Sequence, residues 1–128
     1  MATLQIDGTD RTPQVCFDFD NNRFSLVGES YPEDVAEFYG DLLSQLTAHF
    51  DTLRGEALQF DFNLVYFNSS TAKVVMRLFE ALEEAAQQEN RVVVNWHHEE
   101  DDDNMREMGE EFSEDLHKAQ FNLLVKEG

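Results

Sequence analysis

The sequence predicts an α/β fold: one domain in which a small mixed β-sheet has helices packed on it. Three observations predict it. The first third of the chain alternates apolar and polar residues with no helical period. Three amphipathic stretches follow, separated by short apolar runs. A chain of 128 residues is enough for one compact domain and short for two. No repeat, linker or low-complexity tract divides it, so residues 1–128 are read as a single unit.

Taken in order, Val15, Phe17 and Phe19 alternate with Cys16, Asp18 and Asp20, and Arg23-Phe24-Ser25-Leu26-Val27 alternates again. The pair reads as a hairpin turning at Asp20-Asn21-Asn22. Asp18, Asp20, Asn22 and Glu29 imitate the spacing of a calcium loop, but Arg23 stands where that loop needs Gly and strands flank it, so no metal is assigned. Ser30-Tyr31-Pro32-Glu33 has the form of a capping box with an early Pro. Val35, Phe38, Tyr39, Leu42, Leu43, Leu46 and Phe50 then recur at helical spacing, which predicts a first helix from Pro32 to Phe50. Ala57 to Phe67 reads as a long strand with Leu58, Phe60, Phe62 and Leu64 on one face; apolar Val65-Tyr66-Phe67 predicts that its end is buried on both faces. A second helix is expected over Thr71 to Gln88, with Val75, Met76, Phe79 and Leu82 inward. The run Arg91 to Trp96 reads as a parallel strand covered on both sides, with Trp96 in the core. Asp101 to Leu116 is the third helix, with Met105, Met108, Phe112 and Leu116 inward, and Phe121 to Val125 is a last strand. The resulting order is β-β-β-α-β-α-β-α-β.

Charge narrows the function. There are 27 Asp and Glu against 9 Lys and Arg, a net charge of −18. A nucleic-acid module needs a basic face to displace counterions from phosphates, and an anionic membrane surface repels such a chain. No stretch approaches the length of a membrane span, and Met1-Ala2-Thr3-Leu4-Gln5-Ile6-Asp7 lacks the basic start and apolar run of a signal peptide, so a cytoplasmic protein is expected. Disorder is excluded by the 41% hydrophobic content, with 11 Phe in periodic runs. Cys16 is the one cysteine, which rules out a disulfide framework and a thiolate metal cage; a buried position in an apolar strand is expected for it.

The junction Tyr66-Phe67-Asn68-Ser69-Ser70-Thr71-Ala72-Lys73 is the most informative stretch, because a buried strand runs directly into a helix through one amide and three hydroxyls. Capping of the first-turn amides accounts for one of these side chains. A helix N-terminus at the carboxyl end of a strand also accommodates a phosphate, so the same turn fits a phosphoacceptor. Lys73 is placed to pair with a phosphoryl group or an acidic neighbour. Between Glu99 and Asp115 there are ten acids and one base, Arg106; this is either the solvated face of the third helix or a docking surface for a basic partner. His97 and His98 are adjacent on a strand and point to opposite faces, so they do not share an ion. No phosphate-cradling Gly-rich loop or catalytic constellation stands out, and no cofactor is expected.

The strand-to-helix turn with its Ser pair resembles the STAS domains of anti-sigma-factor antagonists. Four segments, Thr12-Pro13-Gln14-Val15, Gly28-Glu29-Ser30-Tyr31-Pro32-Glu33, Tyr66 to Lys73, and Trp96 to Asp102 followed by Gly109-Glu110-Glu111-Phe112, resemble the SiaC family of bacterial biofilm-regulation phosphoproteins over about the whole chain. The resemblance implies a STAS-like domain acting as a non-enzymatic switch. It implies phosphorylation by a dedicated Ser/Thr protein kinase, resetting by a PP2C-type phosphatase, and activation of a diguanylate cyclase by the unphosphorylated form. By position the acceptor is Ser69. The family turn Asn-Thr-Ser-Ser reads Asn-Ser-Ser-Thr here, which leaves Ser70 and Thr71 as alternatives. Asn68, Ser70, Thr71 and Lys73 are expected to touch the partner. Two other readings are an anti-sigma-factor antagonist in a partner-switching transcription circuit, and a small hydrolase or ligand carrier with a pocket at the strand ends.

Overall fold

The computed structural model describes residues 3–126, so Met1 and Ala2 of the segment tested against a signal peptide lie outside it. The elements are β1 (Thr3–Ile6), β2 (Gln14–Asp18), β3 (Arg23–Ser30), α1 (Val35–Asp51), β4 (Ala57–Phe67), α2 (Ser69–Gln87), β5 (Arg91–His98), α3 (Asp103–Ser113) and β6 (Gln120–Val125). Both the predicted order and the predicted α/β class hold. The strands form one sheet in sequence order, antiparallel from β1 to β3 and parallel from β3 to β6. The β2–β3 hairpin turns where expected. Asp18 accepts hydrogen bonds from the Asn21 backbone and side-chain amides at 3.1 and 2.8 Å, and Asn22 takes a left-handed conformation with φ 55°.

Because each parallel crossover steps one strand further in the same direction, the right-handed rule places all three helices on one face of the sheet. Burial follows. Leu58, Phe60, Phe62 and Leu64 of β4 are buried beneath the helices, as are Val92, Val94 and Trp96 of β5. The aromatic core runs through Phe17, Phe24, Phe60, Phe62, Phe79 and Trp96. The other face is open, which corrects the expectation of two-sided cover. Val93 is only half-buried, and Val65 and Tyr66 at the end of β4 are exposed. Cys16 lies on the open face as well, half-buried, with the Gln5 side-chain amide 3.7 Å from its sulfur. Met76 also departs from expectation, lying exposed on α2 while Val74, Val75, Leu78, Phe79 and Leu82 form the buried stripe.

A second correction concerns the start of α1. Its cap is Asp34, whose carboxylate accepts from the Glu37 amide at 3.0 Å, and Ser30 is buried at the end of β3. Two box-like tetrads sit side by side in this sequence, and the second, Asp34-Val35-Ala36-Glu37, is the one that caps the helix. The third helix is shorter than predicted, ending at Ser113. Met105 is buried and Met108, Phe112 and Leu116 pack partly against the core. Its acids form a solvated face: Glu107, Glu110, Glu111, Glu114 and Asp115 are exposed, while Asp102 caps the helix by accepting from the Met105 amide at 3.0 Å.

Candidate functional site

The parallel strands β3 to β6 end on one side of the sheet, and the helices that follow three of them begin there. This brings Ser30, the Asn68 turn and the Asp102 turn to the same end of the molecule. Asn68 is the cap of α2: its side-chain oxygen accepts from the Thr71 amide at 3.0 Å and its carbonyl from the Ala72 amide at 2.9 Å. Ser69 and Ser70 are the first two helical residues and are exposed, as is Lys73 one turn on. Capping accounts for Asn68 and leaves both serine hydroxyls at the surface.

Thr71 is different. It is 1% exposed, and its hydroxyl is used internally. Thr71 Oγ1 donates to the carbonyl of Ser30 at 3.1 Å and lies 3.0 Å from Ser30 Oγ, which in turn lies 2.5 Å from the Tyr39 hydroxyl. The protons in this chain can be assigned by elimination. A carbonyl only accepts, so the single Thr71 proton goes to the Ser30 carbonyl. Ser30 Oγ must then donate to Thr71, and Tyr39 must donate to Ser30. Burial favours the neutral phenol and pushes Tyr39 up to about 12, the Ser30 hydrogen bond opposing this only in part, so the relay keeps its donor at neutral pH. The Ser30 carbonyl also accepts from the Asn68 amide at 3.2 Å. Three hydroxyls thus tie α1, the end of β3 and the first turn of α2 together beneath the exposed serines.

The ends of the three helices differ in charge. Asp34 caps α1 with Glu37 in its first turn, and Asp102 caps α3 with Asp103 in its first turn. The cap of α2 is neutral and its first turn carries no acid, so its positive end is not offset by a local carboxylate. Behind the turn, the Phe67 ring stands edge-on to Trp96 at 6.2 Å, and Trp96 is held by an indole N–H bond of 2.9 Å to the Met105 carbonyl.

The histidines diverge as expected. His97 lies on the open face, 3.0 Å from Asp61, while His98 is buried on the helix side, 2.9 Å from the Glu99 carbonyl. Burial pushes the Asp61 carboxyl up, but hydrogen bonds from His97, Gln59 and Asn95 outweigh it and hold it below its ordinary value. A shallow depression of about 190 Å³ opens at the amino ends of β3 to β5, between Asn22, Arg23, Gln59 and Arg91, on the side opposite the serine turn.

The model of the SiaC family of regulatory phosphoproteins matches residues 6–126. The chain belongs to the SiaC family. A protein of Pseudomonas aeruginosa (strain UCBPP-PA14) is 35% identical over 115 residues, 90% of each chain. The crystal structure of apo-SiaC from Pseudomonas aeruginosa superposes with a TM-score of 0.85 at 33% identity, covering 98% of this chain and all of that one. A chain of the diguanylate cyclase SiaD complex with its activator SiaC, from the same organism, superposes with a TM-score of 0.87 at 31% identity, covering 96% and 99%. The resemblance read from four segments is therefore the correct family, and this SiaC-family chain is a regulatory phosphoprotein by membership. Sequence reasoning did not find the roles of Ser30 and Tyr39. Their polar groups sit at apolar-periodic or capping positions, and only the packing of α1 and of the first turn of α2 against the end of β3 gives them partners.

Proposed function

We propose that this chain is a non-enzymatic, phosphorylation-switched adaptor whose unmodified form binds and activates a diguanylate cyclase, and so controls c-di-GMP. A Ser/Thr protein kinase modifies Ser69, with Ser70 as the second candidate, and a PP2C-type phosphatase restores the unmodified turn. The kinase step consumes ATP and the phosphatase step is hydrolysis by water, both placed in the cytoplasm, and no described helix is long and apolar enough to cross a membrane. The observation that carries the reading is the division of labour at one turn: Ser69 and Ser70 are exposed where α2 begins, and Thr71 is buried with its proton committed. Thr71 is accordingly the structural member of the trio and acts on a partner only through the turn it fixes.

The switch follows from electrostatics and solvation. A phosphoryl group on Ser69 brings about −1.5 to −2 charges and a tightly held hydration shell to the first helical position. The uncompensated dipole of α2 favours that anion by about 0.3–1 kcal/mol at an exposed site, and Lys73 lies one turn on. The relay below stays intact, so the core does not refold. What changes is the partner's side, because a protein seated over the turn has to displace that water.

The test is incubation with ATP and a purified Ser/Thr protein kinase from the same organism, with the modified residue mapped by mass spectrometry. Modification of Ser69 and its loss in Ser69→Ala are expected. Modification of Thr71, or none anywhere, would overturn the assignment. Cyclase binding should be present in wild type and weakened in Ser69→Asp. Binding to an anti-sigma factor in place of the cyclase would move the protein to the transcriptional reading.

A further inference from the structure

Cations are scarce in this chain, 9 Lys and Arg against 27 Asp and Glu, so their placement is informative. Arg11 is engaged by Glu33, Arg106 by Asp103 and Glu110, and Arg54 by the Asp51 and Leu53 carbonyls and the Gln88 side chain. Arg23 and Arg91 are different. Both are exposed, neither makes a side-chain hydrogen bond or ion pair among the described residues, and both line the depression of about 190 Å³ at the amino ends of β3 to β5.

The strand register brings them there. Arg23 lies beside Gln59 and Arg91 beside Ala57, so β4 runs between the two arginines; with Phe24, Leu58 and Val92 buried on the helix side, all four residues face the open side of the sheet. Two strand spacings and an offset of two residues put the arginine Cα atoms about 12 Å apart, a gap that two side chains of this length can close from opposite sides. Between them lie only the Ala57 methyl group and the Val93 side chain. Gln59 leaves the gap open, because its amide is drawn along the strand to Asp61 at 2.8 Å. Two like charges thus converge over a floor that supplies no counterion.

The acids nearby are committed elsewhere. Asp18, the register partner of Arg23 on β2, accepts from both Asn21 amides, and its carboxyl is held below its ordinary value first by those bonds and last by Arg23. Asp61 accepts from Gln59, Asn95 and His97, and Asp20 lies toward His49 on the helix side. Glu56 and Glu89 line the adjoining depression beyond Arg91 and close that side to an anion.

We propose that the cleft between Arg23 and Arg91 is a binding site for a small dianion with oxygens on two sides, a chemistry shared by a phosphoryl group and a short dicarboxylate. The guanidinium fork sets the chemistry, since each one can donate two parallel N–H bonds to a phosphate or carboxylate. Volume sets the limit. The depression is smaller than the roughly 300–1,000 Å³ of a drug-sized pocket, so the anion carries few atoms beyond its charged groups. The net charge of −18 does not bar entry, because exposed charges beyond about 8 Å are largely screened at physiological ionic strength. Ala57 and Phe67 stand at opposite ends of β4, about 33 Å apart at about 3.3 Å per residue, so this site is separate from the serine turn and does not rest on the adaptor reading.

The experiment titrates the purified protein with inorganic phosphate and, separately, with malonate, at an ionic strength held constant with sodium chloride, and follows arginine Nε–Hε and backbone amide signals by NMR. Saturable shifts at Arg23 and Arg91 are expected with at least one probe, and the probe that responds names the source. Arg23→Gln and Arg91→Gln should each weaken binding about 10–100-fold, as loss of a charge-assisted hydrogen bond does. Arg77→Gln, which removes an exposed arginine from α2, should leave it unchanged. If one cleft variant does not fold, the other reads the same loss. Shifts that never saturate, or that Arg77→Gln weakens equally, reduce the effect to general charge screening and overturn the site. Saturable shifts centred on Ser69 and Ser70 in place of the arginines assign the anion to the start of α2 and overturn it as well.

Discussion

Two helical glycines make a matched test of the packing behind the switch. A methyl group added at Gly40, in α1, meets nothing within 4 Å. One added at Gly109, in α3, would lie 2.6 Å from Trp96 Nε1 and 2.8 Å from Cγ, and closer still to Cδ1. Alanine gains about 0.8–1 kcal/mol over glycine in a helix interior, so Gly40→Ala should stabilise by that amount. At Gly109 the same gain is opposed by overpacking, about 1–3 kcal/mol. Trp96 is 1% exposed and pinned to the Met105 carbonyl, so its movement also weakens a hydrogen bond, with a net value of about 1 kcal/mol. The sum is a net loss of about 1–3 kcal/mol. With a urea m-value of about 1.5 kcal/mol/M, the midpoint should rise by about 0.6 M for Gly40→Ala and fall by about 0.7–2 M for Gly109→Ala. Trp96 is the single tryptophan, so its emission follows unfolding and also reports native displacement in Gly109→Ala. A cycle with Trp96→Phe, which removes the crowded indole atoms, should recover about 1 kcal/mol of the loss as coupling. Equal stabilisation by both alanines would refute the close approach of α3 to Trp96.

Other residues give similarly direct tests. Glu83 is buried on α2, and its carboxylate accepts from the His117, Lys118 and Ala119 amides at 3.0–3.1 Å, clamping the connection into β6; Glu83→Gln should cost about 2 kcal/mol, read by urea unfolding at pH 7. Burial pushes the Glu83 carboxyl up, but these amides and the Gln87 side chain hold it below its ordinary 4.5, so its contribution is full above that value and lost as pH falls through the lower folded-state value. The wild-type advantage over Glu83→Gln should therefore shrink below about pH 4, and an advantage constant from pH 7 to 3 would contradict the clamp. Tyr39→Phe should cost about 1 kcal/mol through loss of the donor to Ser30, and Thr71→Val about 1–3 kcal/mol because it strands the buried Ser30 hydroxyl proton and leaves the Ser30 carbonyl only the Asn68 amide; a neutral Thr71→Val would exclude the relay. Asn68→Ala should lose about 1 kcal/mol with the cap, whereas Ser70→Ala should stay within about 0.5 kcal/mol.

Strand positions were legible because period-2 alternation is local: Ala57–Phe67 could be bounded from its own residues. Which face of the sheet is covered was not, since that depends on the direction in which successive crossovers step. Val65 and Tyr66 look like core residues in the chain, and only the one-sided helix layer and the shift in β3–β4 register after Gly28, where Leu64 pairs with Gly28 and Tyr66 with Glu29, leave them exposed. Ser30 was misread for a related reason. Its short-range context offers a helix cap, while its actual partners are Tyr39 and Thr71, the latter 41 residues away. The serine turn itself was legible, because a strand running directly into a helix needs a cap and this one has more hydroxyls than capping uses.

The two kinds of hydroxyl at that turn also explain how a modification there could act without cost to the fold. A phosphate on a residue whose hydroxyl is committed inside would have to break the relay and bury a dianion, at several kcal/mol of desolvation. Placed on Ser69, it meets water on one side and the unoffset end of α2 on the other, while Asn68 and Thr71 hold the backbone in place. Stability should then be nearly indifferent to the modification while partner affinity is not. Urea midpoints of phosphorylated and unmodified protein should agree within about 0.5 M, equivalent to less than about 1 kcal/mol. A large midpoint shift would mean that the switch works by unfolding the turn, and the separation between the relay and the exposed serines would have to be abandoned.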